Sequence, residues 1–151
     1  MPRSHWKVKE PLFRGDSAAD VTVPTPGASK NLVRHILYLE GAGRESPYLS
    51  TSEDREAAAH FAGVNGTIWE VYVAKAQRMK VAHFSRKELL SLLKGRGKGR
   101  AEWRSAFEVA QARRYVEEWA EHLLDFSPIP SPEEVRGVVE GLFARRSEGQ
   151  R

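Results

Sequence analysis

The sequence predicts a single α+β domain, and three observations carry that prediction. Residues 67–74 alternate in the period of a strand, with Trp69, Val71 and Val73 on one face and Ile68 and Tyr72 on the other. Elsewhere the chain opens helices with clear start signals, above all Ser131-Pro132-Glu133-Glu134. The 151 residues contain no internal repeat and no linker long enough to divide them, so one main core is expected.

Taken in order, Pro11-Leu12-Phe13-Arg14 reads as a short strand that runs into the turn signal Gly15-Asp16-Ser17. Residues 18–28, with two prolines and a glycine, read as loop. Ser29 can cap a helix over residues 30–39, with Leu32, Val33, Ile36 and Leu37 on one side. Tyr48-Leu49-Ser50 is a short strand after the turn Gly41-Ala42-Gly43. Thr51 and Asp54 have the spacing of a capping box, which starts a helix that ends near Gly63. Residues 86–94 form a short helix, and residues 102–118 fit a helix at least as well as strands. The last helix covers residues 132–144, and the tail from Arg145 is expected to fray.

Composition narrows the function classes. Hydrophobic residues make up 40% of the chain, enough for a packed core. No stretch approaches the roughly 18 apolar residues that span a bilayer, and the N-terminal residues lack the apolar run of a signal peptide, so neither feature is expected. Cysteine is absent, which removes disulfides, thiolate nucleophiles and cysteine-based metal sites together. The five histidines show no metal-ligand spacing. Lys and Arg exceed Asp and Glu by 24 to 20, and much of the excess lies in Lys94-Gly95-Arg96-Gly97-Lys98-Gly99-Arg100. That run reads either as a solvated loop or as a patch that neutralises phosphates, and it lacks the length and ending of a phosphate-binding P-loop.

Three stretches carry candidate chemistry. Leu12-Phe13-Arg14-Gly15-Asp16-Ser17 ends a strand on an Arg-Gly-Asp string; Tyr48-Leu49-Ser50-Thr51-Ser52 ends a strand before an alanine-rich helix; Glu121 precedes Ile129-Pro130 and an acid-capped helix. Singly, each has a plainer structural explanation: chance, helix capping and an exposed acid beside Glu117 and Glu118. In series, over about residues 11–140, they resemble the R-S-E class of mono-ADP-ribosyltransferases, in the cholera- and pertussis-toxin-like branch and its bacterial effector domains.

That resemblance implies an ADP-ribosyltransferase fold: two packed antiparallel sheets flanked by helices, with NAD⁺ as co-substrate in the cleft between them. Arg14 would anchor NAD⁺, with Gly15 and Asp16 nearby; Ser50 would orient the glutamate or contact ribose; Thr51 and Ser52 would support the cleft. Glu121 would be the catalytic carboxylate, with Glu118 as the fallback; Glu118 would also replace Trp119 at the acceptor-selecting position if the register slips by one. His35 is either a second donor to ribose or a histidine on a helix surface. His60, His83 and His122 are not expected in the site. The residue types suit the reaction: a guanidinium offers a fixed fork of donors, and a carboxylate stabilises charge that develops on ribose near the transition state.

One position departs from the family. Trp119 stands where members carry Gln or Glu, the residue that helps select the acceptor. An aromatic there can stack on a base or pack beneath the loop, and Trp119 and Glu118 are the candidate acceptor contacts. With the basic run, this favours RNA or DNA slightly over protein as acceptor. The resemblance further implies an effector or toxin secreted or injected into a target-cell cytoplasm, with a cognate immunity protein as a partner. The rival readings are a non-enzymatic module that binds nucleic acid through residues 94–100 and Trp103, and a relative without catalysis that binds only NAD⁺.

Overall fold

The structure, a computed structural model, describes residues 6–16, 21, 23–28, 32–37, 45–64, 66–93 and 106–146. These form six strands and six helices: β1 (Leu12–Asp16), α1 (Leu32–Ile36), β2 (Tyr48–Ser52), α2 (Arg55–Ala62), β3 (Thr67–Val71), α3 (Val73–Arg78), β4 (Ala82–Phe84), α4 (Arg86–Leu92), α5 (Ala106–Glu118), β5 (Glu121–Asp125), α6 (Pro132–Leu142) and β6 (Ala144–Arg146). The α+β class is as expected. No described helix is long and apolar enough to cross a membrane. The basic run at residues 94–100, Trp103 and Ser17 lie outside the described residues.

Local chemistry explains most of the boundaries. The α2 helix is capped by Asp54, whose carboxylate accepts from the Glu56 amide at 2.9 Å, and it closes at Gly63 with φ of 72°. The expected Thr51 capping box does not form, because Thr51 and Ser52 are committed to β2. Ser85 and Glu88 form the reciprocal capping box of α4. Ser131 caps α6, with Pro132 in its first turn. The resemblance implies a loop and a strand start over residues 107–120 in place of the helix that the local pattern favours. The local pattern holds, and the stretch is the helix α5, which buries Val109, Ala112 and Val116 on one side.

Three expectations fail at element ends. The strand expected over residues 67–74 stops at Val71, where Ala74, Lys75, Ala76 and Gln77 take the chain into α3 and bury Val73 and Ala76. Residues Ala144–Arg146 do not fray: they pair with β3, Ile68 opposite Arg146 and Glu70 opposite Ala144. The turn expected at Gly15-Asp16 is instead strand: β1 runs on to Asp16, with Gly15 opposite Ile68 and Asp16 opposite Thr67 of β3. The short strand β4 has no signal of its own and is held by its pairing with β5.

The strands form one antiparallel sheet in the order β4-β5-β2-β1-β3-β6, so the two packed sheets expected from the resemblance are not what the described strands build. The physical reason lies at the centre. β2 pairs with β5 through five consecutive residues and β1 with β3 through five, but β1 and β2 share one pair, Phe13 with Ser52. That single pair keeps the two halves continuous.

Helices cover both faces. On the rear, α3 and α6 pack Val73, Ala76, Val135, Val139 and Leu142 onto Leu12, Leu49, Val71 and Leu124. On the front, α1, α4 and α5 pack Leu32, Ile36, Leu89, Val109 and Val116 onto Tyr48 and Leu123. The front also carries α2, which lies so close to β1 that a Cβ on Gly15 would sit 1.8 Å from the Ala58 carbonyl oxygen. Only glycine permits that approach. Between α2 and α5 the front of the sheet is left open.

Candidate active site

The opening is a cavity of about 290 Å³ whose floor is the junction of β1 and β2. Arg14, Ser50 and Glu121 all line it, together with Phe61 of α2 and Tyr115 and Trp119 of the α5 end. Gly15, Thr51, Ser52 and Glu118 line it too. Asp16 and His35 do not; they hold Arg14 and Ser50 from outside it.

Arg14 spans the narrow point of the sheet. Its Nη1 donates to the Ser50 carbonyl at 2.9 Å, bridging β1 and β2 where backbone pairing is limited to Phe13 and Ser52. Its Nε and Nη2 donate to the two carboxylate oxygens of Asp16 at 3.0 and 2.8 Å. This two-point clamp fixes the plane of the guanidinium, a stronger constraint than charge alone. Both partners are largely buried, with side-chain exposures of 13% and 5%. Asp16 therefore has a defined task, the orientation of Arg14.

Ser50 is set by a short chain of side chains. His35 is buried, its Nε2 lies 2.9 Å from Ser50 Oγ, and its Nδ1 lies 2.7 Å from Ser46 Oγ. Ser46 also accepts from the Tyr48 amide at 3.1 Å, which anchors the chain to the start of β2. His35 is thus an interior orienting group and not a surface histidine. Ser46 was not singled out from the sequence, where a serine before proline in a loop carries no distinguishing signal.

Glu121 opens β5, pairs with Ser52, and is 7% exposed. Alternation along β5 puts Glu121 and Leu123 on the front and His122 and Leu124 on the rear. Glu118, the alternative carboxylate, is the exposed last residue of α5 and sits at the cavity's rim. Between them the chain turns through Ala120, whose φ of 48° lies in the left-handed region that non-glycine residues rarely adopt. Ser52 secures that turn, its Oγ donating to the Trp119 carbonyl at 2.6 Å and accepting from the Asp54 amide at 2.9 Å. Thr51 Oγ1 donates to the His122 carbonyl at 3.1 Å. The Ser-Thr-Ser stretch therefore serves two ends: Ser50 faces the cavity, while Thr51 and Ser52 hold the strand that carries Glu121.

The cavity mouth is aromatic. Trp119 stacks on His60 with ring centres 5.0 Å apart and planes 19° from parallel, and Phe61 meets Trp119 edge-on at 5.1 Å. Phe61 remains 44% exposed. His60 was set aside on sequence grounds, yet it is the ring that backs Trp119. The adjacent pair His60-Phe61 at the end of an alanine-rich helix was the available signal.

A second polar cluster lies behind the sheet. His122 Nε2 donates to Glu53 Oε2 at 2.6 Å, and His122 Nδ1 lies 2.8 Å from His83 Nε2. Trp6 covers His122 edge-on at 4.6 Å. Burial first, and then the neighbouring His122, push the pKa of His83 down to about 4 against the opposing pull of Glu88. As expected, His83 and His122 lie outside the cavity. Among the described residues no group of three His, Asp or Glu side chains is arranged to hold a metal ion.

No family model, curated protein or solved structure matches this chain.

Proposed function

We propose that the chain is a mono-ADP-ribosyltransferase that moves one ADP-ribose from NAD⁺ to a macromolecule and releases nicotinamide. The observation that supports this most is the meeting of Arg14, Ser50 and Glu121, from three distant stretches of sequence, on one cavity. On this reading the fold is a variant of the ADP-ribosyltransferase fold in which the two expected sheets stay fused at Phe13–Ser52.

The residues present fit that substrate. The cavity is near the lower end of ligand-pocket sizes, about 300 Å³, which suits the nicotinamide-ribose end of the dinucleotide and not its whole length. Phe13, Ile36 and Tyr115 supply apolar surface for the ring, and Arg14 is a pre-aimed donor for phosphate or ribose oxygen. The bond that breaks joins ribose C1′ to the nicotinamide nitrogen, which departs with the bonding electron pair. Positive charge then develops on the ribose, and the Glu121 carboxylate is placed to stabilise it. The acceptor's nucleophilic atom forms the new bond to C1′ and gives up its proton. Ser50, held by His35, positions the ribose or the glutamate.

The acceptor assigned by this reading is nucleic acid in preference to protein. Trp119, backed by His60 and flanked by Phe61, offers a rigid aromatic face at the mouth, and base stacking on such a face contributes about 1–3 kcal/mol. Glu118 at the rim would contact the acceptor beside it. The biological setting that goes with this activity is an effector or toxin module acting in a target-cell cytoplasm, restrained in its own cell by an immunity protein.

The test is incubation of the purified protein with labelled NAD⁺ and cell lysate, followed by nuclease or protease digestion. Nicotinamide release with nuclease-sensitive label is the expected result. Protease-sensitive label would move the acceptor to protein, and no NAD⁺ consumption would remove the enzymatic reading.

A further inference from the structure

Glu121 sits on a register that needs enforcing. It follows a left-handed residue, Ala120, at the start of its strand, and a slip of one residue would turn its side chain from the cavity to the rear face. Ser52 and Thr51 hold the carbonyls of Trp119 and His122. The residue that grips both immediate neighbours of Glu121, however, is Glu53. Its backbone N–H donates to the Ala120 carbonyl at 3.1 Å, and its carboxylate accepts from the His122 ring at 2.6 Å. One side chain and one amide of the same residue therefore bracket Glu121 from before and behind.

The bracket is itself braced. The His122 ring is 1% exposed and the Glu53 side chain 8%, so the pair is largely shielded from solvent. His83 approaches the far nitrogen of His122 at 2.8 Å, which fixes the ring's orientation, and Trp6 closes over it. A buried, hydrogen-bonded chain of this kind costs desolvation and returns geometric definition. Its members come from β2's end, β5 and β4, and none touches the cavity.

We propose that Glu53, oriented by His122 and His83, is a positioning residue for the Glu121 carboxylate. This rests on the reaction assigned above. A misplacement of a reacting carboxylate by about 1 Å can cost on the order of a hundredfold in rate, whereas substrate affinity depends mainly on Arg14 and the cavity walls. Glu53→Leu removes the acceptor for His122 and leaves the backbone bond. It is expected to lower kcat for nicotinamide release by roughly 10- to 100-fold, with KM for NAD⁺ changed by less than about twofold. Glu53→Gln keeps an oxygen at the same reach and restores most of kcat. Glu53→Asp keeps the charge but shortens the reach, and falls with Leu. This Gln-against-Asp contrast needs no apolar substitution, so it holds even if Glu53→Leu fails to fold.

Amide hydrogen exchange reads the same bracket without turnover. Exchange at Glu121 and His122 should be faster in Glu53→Asp than in Glu53→Gln at matched global stability. Wild-type protein that releases no nicotinamide overturns the reaction, and the exchange contrast then decides the bracket alone. Wild-type turnover with kcat equal in Gln and Asp variants, or with KM rising in step, overturns the role of Glu53 and leaves the reaction standing.

Discussion

The two faces of strand β5 are built from alternate residues of one short segment, yet they solve opposite problems. On the front, Glu121 faces a cavity walled by Arg14, Ser50 and an aromatic mouth. On the rear, His122 is locked between Glu53 and His83, and Leu124 is packed in an apolar core. The front side chains line space where a substrate can be bound. Those on the rear are tied to one another by short bonds or close packing. A strand buried on both faces thus presents a carboxylate to the cavity on one side while the other side holds it still.

The comparison can be broken most severely from the front wall. Gly15→Ala places a methyl group against the Ala58 backbone, and no side-chain motion relieves a clash with a carbonyl. The expected loss is on the order of 3 kcal/mol of unfolding free energy, at the upper end of overpacking costs, measurable by denaturant titration. The cavity should be lost with it as α2 moves off β1. Wild-type stability in this variant would contradict the close packing that forms the cavity wall.

A smaller effect comes from the rear, through pH. The unfolded chain protonates His83 near 6.5, but in the folded protein burial holds its pKa at about 4. Between these values the unfolded state binds more protons, so this contribution to stability is fully present above about pH 6.5, is lost as pH falls toward 4, and levels off below. Because His83 is only half-buried, the slope is expected to be modest. His83→Gln should flatten the stability profile between pH 6.5 and 4, as followed by thermal unfolding across that range. An unchanged profile would mean that His83 is not the group that titrates there.

What the sequence made legible follows from locality. Caps, alternation and composition identified β1, the core of β3, and the starts of α4 and α6, because each depends on neighbours within a few residues. The three motif stretches pointed to one site only through their resemblance, taken in series, to the R-S-E pattern, since each alone has a plainer explanation. β4, β6 and the bracket around Glu121 were not legible. β4 and β6 are three residues each and exist through pairing with β5 and β3. The bond between Glu53 and His122 joins positions far apart in the chain, and nothing local marks either residue. The left-handed Ala120 was hidden for the same reason, since no glycine or asparagine announces it. The fused sheet was missed because its continuity depends on a single residue pair.

The central claim is that Glu121, and not its neighbour Glu118, is the carboxylate that acts on NAD⁺. Nicotinamide release by the variants Glu121→Gln and Glu118→Gln, compared at equal folded concentration, tests it most directly. Glu121→Gln keeps size and hydrogen bonding but removes the charge, and is expected to lower kcat by about a thousandfold or more. Glu118→Gln, at the exposed rim, should change nicotinamide release by less than about threefold. Undiminished release by Glu121→Gln, or a collapse confined to Glu118→Gln, would contradict the account.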